Sequence, residues 1–174
     1  MKTVVEAMDN FFRKQTEMWE KLMQCKPLYP WDASFDQALF QSEPDEDGYA
    51  EWLPAIGRIP TGLPRMCTEL TELFGARRFW QMNGSYRDYQ VYFPAIPTDE
   101  AAVQAADTAI RDGEFHMGKG KAMLATVAYH EVDDLWLVYD QADGTLYLYD
   151  MDDESFKRLS FSLVELIGNM EVLI

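Results

Sequence analysis

Basic residues are in short supply: 15 Lys and Arg stand against 30 Asp and Glu, a formal charge of −15 over 174 residues. A surface this acidic repels phosphate backbones and anionic headgroups, which argues against DNA, RNA or anionic lipid and leaves basic partners. Cysteine is nearly absent. Cys25 and Cys67 are far apart and lack CxxC spacing, so neither a disulfide framework nor a structural zinc site is expected, and both are read as buried thiols. Long apolar runs are missing as well, since no stretch approaches the roughly eighteen residues of a membrane span. The first nine residues, MKTVVEAMD, carry acids where a signal peptide keeps an unbroken apolar core. A soluble cytoplasmic protein with no membrane insertion is the expectation. No Ser/Gly-rich or Pro-rich tract offers a linker, so residues 1–174 are read as one domain.

Catalytic signatures are absent too. His116, read as lying in the glycine-bearing loop GEFHMGKGK at 113–121, and His130, at the end of a strand, stand in no HxH or HExxH pattern. The GKGK at 118–121 has a strand after it rather than a helix, and no Ser or Thr follows its lysine, so the phosphate-cradling geometry of a P-loop is not available. There is no GxSxG elbow and no GxGxxG fingerprint. Carboxylates are so numerous that a pair suited to glycosidase-like hydrolysis cannot be singled out by position. The expectation is a protein that is not an enzyme and uses no cofactor or metal; a small hydrolase built on a carboxylate pair is the alternative.

What the sequence does have is 48% hydrophobic and 14% aromatic residues, arranged with secondary-structure periods, so it should fold around a core. In 1–24, Val4, Val5, Met8, Phe11, Phe12, Met18, Trp19, Leu22 and Met23 recur three and four apart. That predicts a long amphipathic helix with its apolar stripe on a sheet. Pro27 and Pro30 then open a connector, residues 43–48 form an acidic turn, and 49–53 read as a short strand. A helix around Met66, Leu70, Leu73 and Phe74 is predicted with Pro64 near its first turn and Gly75 just past its end. RFWQM at 78–82 and YQVYF at 89–93 read as a hairpin turned at Asn83-Gly84. Thr98 caps a third helix over 101–110, with Gly113 just past its end.

The most informative stretch is 122–168. AMLATVAY at 122–129, LWLVY at 135–139 and TLYLY at 145–149 read as three successive strands, the last two joined through QADG at 141–144 with Gly144 free to take positive φ. A closing helix capped by Ser160 or Ser162 follows, with Leu163, Leu166 and Ile167 on its inner face. From 131 to 154 there are nine acids and no Lys or Arg. Strand residues place these acids in the turns, near aromatic edges. Asp133, Asp134, Asp140, Asp143, Asp150, Asp152 and Asp153, with Trp136, Tyr147 and Tyr149, are therefore the candidate contact residues for a basic protein partner: the charges would speed encounter and the aromatics anchor it. The bland alternative is a solvated face, because turns are polar in any case.

EWLP at 51–54, ELTELFG at 69–75, FWQMNG at 79–84, WLVYD at 136–140, GTLYLYD at 144–150 and SLVELI at 162–167 occur in an order that resembles the SUKH superfamily, which includes the SecY-interacting Syd protein. The resemblance implies an α+β domain, mainly antiparallel sheet with a long N-terminal helix and a C-terminal helix packed on it, that binds proteins and performs no chemistry. It further implies an immunity protein neutralising a cognate bacterial toxin, or else a Syd-like factor that turns an acidic surface toward basic cytoplasmic loops of the SecY translocon.

Overall fold

The computed structural model describes residues 1–23, 55–56, 59–79 and 81–173. In chain order the elements are α1 (Val4–Met23), β1 (Ala55–Ile56), α2 (Thr68–Gly75), β2 (Arg77–Arg78), β3 (Met82–Tyr86), β4 (Tyr89–Phe93), α3 (Asp99–Met117), β5 (Lys121–Tyr129), β6 (Val132–Asp140), β7 (Leu146–Asp150), β8 (Ser155–Arg158), α4 (Leu163–Asn169) and β9 (Glu171–Val172). The connector after Pro27, the acidic turn at 43–48, the strand expected at 49–53 and Cys25 lie outside the described residues.

Alternation makes the sheet. Leu135, Leu137 and Tyr139 of β6 join the main core while Trp136 and Val138 point the other way, the period of two that a strand with two distinct faces requires. Seven strands run β8-β7-β6-β5-β4-β3-β9, each antiparallel to its neighbour; β1 and β2 form a separate pair. β3 to β8 form a meander of neighbours in sequence, and the chain then returns through α4 to lay β9 on the far edge. The expected α+β fold with its large antiparallel sheet is the one observed. The β6–β7 turn is as read: Gly144 has φ +76°, and Asp140 N–H bonds the Thr145 carbonyl at 2.9 Å. Ser162 caps α4 through Glu165 N–H, and Leu163, Leu166 and Ile167 are buried.

Helix α1 buries Val4, Ala7, Met8, Phe11 and Phe12, each large side chain contributing roughly 1.5–3 kcal/mol when fully buried. Its stripe meets the sheet, as expected, at the β3–β9 edge, where Phe11 lies against Gly84, and runs on along α4 and α2. Further into the sheet Leu166 of α4 takes the covering position, lining one small void with Val91, Val127 and Leu137.

Three expected boundaries move. The first hairpin turns at Arg87-Asp88, with Tyr86 opposite Tyr89, and Asn83-Gly84 lies within β3. Gly84 serves packing there: a Cβ would stand 2.8 Å from Met170 Cβ and 3.0 Å from the Glu171 carbonyl. Helix α3 continues through Gly113 to Met117, so His116 is in its last turn, and Gly118 at φ +96° stops it. Helix α2 begins at Thr68 and keeps Gly75 as its last residue. Its start is set from a distance, because Gln141 Oε1 accepts from Cys67 N–H at 2.9 Å.

Candidate functional site

The meander sorts the acids by sheet end. Tyr129 pairs with Val132 and Leu135 with Asp150, so the β5–β6 turn and the β7–β8 turn project from one end of the sheet. Glu131, Asp133, Asp134, Asp150, Asp152, Asp153 and Glu154 come together there. None of these seven carboxylates meets a Lys or Arg in an ion pair among the described residues. Two are held in place by their own turn: Asp150 accepts from Asp152 N–H at 2.9 Å, and Asp153 accepts from Ser155 N–H at 3.1 Å. His130, Asp134 and Glu154 all carry φ between +54° and +64°, a sparsely populated region for residues with a Cβ. Val132, Met151 and Phe156, exposed by 48%, 42% and 63%, stand among the acids at this end. Sequence reasoning passed over all three; their signal was apolar residues next to turn acids, where solvation alone asks for polar ones.

Asp140 and Asp143 lie at the opposite end, roughly 20 Å away along β6 at about 3.3 Å per residue. This corrects the grouping of Asp140 and Asp143 with Asp133, Asp134, Asp150, Asp152 and Asp153 as contact residues for one partner. Asp140 is 9% exposed and is satisfied internally, accepting from Lys121 Nζ at 2.9 Å and from Ala142 N–H at 2.9 Å. Asp143 is exposed, and the hydrogen bond from Thr145 N–H holds its carboxyl below the usual carboxylate pKa. The stability this adds is present above the ordinary pKa and is lost as pH falls through the lowered one. Tyr149 is also corrected: it is 4% exposed, packed with Val138 and Met123, its ring 5.7 Å from that of His116. Trp136 and Tyr147 are half-buried on the same face. Asp140→Ala should therefore act on stability, removing an acceptor from both Lys121 and the turn. A loss of about 2 kcal/mol in urea unfolding is expected, and a change within experimental error would show that the pair contributes nothing.

No protein-family model matches the chain, and no curated protein does. What the site can do must come from its own groups.

Two other places hold groups of chemical interest. Tyr139 Oη donates to Glu69 Oε2 at 2.7 Å, and the half-buried Cys67 thiol donates to Tyr139 Oη at 3.8 Å. Burial first and then Glu69 push the phenol's pKa well above its ordinary value, so Tyr139 acts as a protonated donor fastening β6 to α2. A groove of about 490 Å³ runs between α3 and the outer face of the sheet, walled by Tyr92, Ala105, Thr108, Thr126 and Trp136. Among the described residues lining it, Asp112 alone carries a carboxylate, whereas hydrolysis by a carboxylate pair needs two, about 5–9.5 Å apart. No group of three or more His, Cys, Asp or Glu suited to a metal ion is found among the described residues, and no described helix is long and apolar enough to cross a membrane.

Proposed function

We propose that this chain is a non-enzymatic binding module for a basic protein partner, of the immunity-protein kind suggested by the SUKH resemblance, with a cognate toxin as the partner. The observation that carries the reading is the sheet end itself: seven carboxylates from two adjacent turns and the strand ends beside them, without an ion-pair partner among the described residues, and with Val132, Met151 and Phe156 exposed among them. Apolar contacts within a charged rim are the usual anatomy of a protein interface, where the apolar centre gives affinity and the charges give rate and selectivity. A Syd-like role toward SecY loops draws on the same surface and differs only in the basic partner.

The test uses substitutions that spare the turns. Among the described residues neither the Asp133 nor the Asp152 carboxylate accepts a hydrogen bond that caps its turn, so Asp133→Lys with Asp152→Lys reverses charge without removing a cap. Asp150→Asn and Asp153→Asn remove charge but keep the Oδ1 acceptor. Binding is measured to the product of a toxin gene found adjacent to the gene for this chain and, as the second arm, to peptides of the SecY cytoplasmic loops, at two salt concentrations. The reversal is expected to slow association and weaken binding about tenfold or more, roughly 1.4 kcal/mol, more at low salt, with little change in melting temperature. Asp143→Lys, at the far end, should leave affinity unchanged. Parent-like binding by the reversed variant, or affinity indifferent to salt, would make this end a solvated face.

A further inference from the structure

Strand β8 is one of the two edge strands of the seven-stranded sheet, and Ser155, Phe156, Lys157 and Arg158 are all exposed. Leu159 N–H bonds the Leu146 carbonyl at 2.9 Å, in the register that pairs Arg158 with Tyr147 and Phe156 with Tyr149. Antiparallel pairs alternate between bonded and non-bonded, so residues 155, 157 and 159 turn their backbone groups toward β7. Phe156 and Arg158 therefore direct N–H and C=O outward, where no strand among the described residues takes them up. An exposed edge of this sort is a template for another strand. Lysines often protect such edges, but the Lys157 ammonium sits 5.3 Å over the Tyr129 ring, and Phe156 is left 63% exposed with Tyr147 as its ring neighbour at 5.7 Å.

We propose that β8 pairs antiparallel with β8 of a second copy of this chain, about a two-fold axis at Phe156, joining the two sheets into one. The charges select both the occupant and the register. A two-fold interface must be self-complementary, and β8 has an acidic turn at its start, Asp152, Asp153 and Glu154, and Lys157 and Arg158 at its end. With the axis at Phe156, the outward-facing Phe156 residues exchange both backbone hydrogen bonds and their rings meet. Lys157 then faces Ser155 of the second copy, and Arg158 reaches Glu154 of the second copy. Moving the axis to Lys157 would set two ammonium groups directly opposite, which is repulsive. Moving it to Ser155 would run most of β8 past the 151–154 turn. Phe156 and Glu154 belong to the acidic end as well, so β8 pairing and partner binding would share them, whereas Asp133 lies outside the pairing and its reversal tests the partner reading alone.

Sedimentation velocity on the full chain over a roughly hundredfold concentration range tests it, because an edge pairing of this size belongs to the weak class of interfaces and should show concentration dependence. The parent is expected to pass from monomer to dimer. Phe156→Pro removes an outward N–H, a position an edge strand tolerates, and should remain monomeric with a nearly unchanged urea midpoint. Glu154→Lys and Arg158→Glu should each raise the dissociation constant about tenfold, from two symmetric ion pairs of modest strength. The two together should restore dimerisation, since the swap rebuilds the same complementarity. A parent that is monomeric throughout, a Phe156→Pro variant that dimerises like the parent, or a double swap no better than either single change would each overturn the pairing.

Discussion

Replacing Gly113 by alanine is expected to lower the unfolding free energy by about 3 kcal/mol, although alanine is the better helix former. The two effects oppose each other and their sizes decide the sign. Within a helix, Gly to Ala is worth about 1 kcal/mol in favour of alanine. At this position α3 lies directly on the strand that follows it: a Cβ would stand 2.6 Å from both Ala122 Cα and the Lys121 carbonyl carbon. Those are backbone atoms of a central strand and cannot swing aside as a side-chain tip can, so α3 must lift from β5. Urea denaturation reads the result as a lower midpoint at an unchanged slope. A variant as stable as the parent would mean that helix and strand separate freely, contrary to the packing described.

Phe11→Ala is expected to cost about 4 kcal/mol, within the usual range for truncating a fully buried phenylalanine. Its ring has no exposed surface, meets Phe12 edge-on with centroids 5.6 Å apart, and stands where Gly84 allows β3 to approach. Deleting it leaves a void shared by α1, β3 and the segment before β9. Phe115→Ala is the control, since that ring is 82% exposed and surface changes stay within about 0.5 kcal/mol. A Phe11→Ala loss no larger than the control's would show that α1 contributes little to the core.

The parts of the fold legible in the sequence were those where local chemistry and tertiary packing agree. The β6–β7 hairpin, the Ser162 cap of α4 and the Thr98 cap of α3 each have a residue whose own preference matches its place. Glycine was misread where packing overrode local preference. Gly84 looked like half of a turn and Gly113 like a helix stop, yet both make room for a neighbouring backbone, and that neighbour is invisible in sequence. The acids were legible as a group and illegible as a surface, because only strand register sends Asp140 and Asp143 to the opposite end from Asp133 and Asp152. Burial of Tyr149 was likewise hidden, since it depends on α3 running on to Met117.

The pairing of α1 with α4 and β9 has a consequence for synthesis. Asn10 Nδ2 reaches the Gly168 carbonyl at 2.7 Å, and Lys14 Nζ reaches the Met170 carbonyl at 2.9 Å, so a helix translated early is held by residues translated about 150 positions later. At roughly 5–20 residues per second, the apolar stripe of Val4, Met8, Phe11 and Phe12 waits on the order of ten seconds for its partners. The β3 to β8 meander can zip up from neighbouring contacts as it emerges from the ribosome, but α1 cannot settle until the last turn of α4 is out. During that interval the nascent chain carries an uncovered aromatic helix, the kind of exposed apolar segment that holding chaperones recognise.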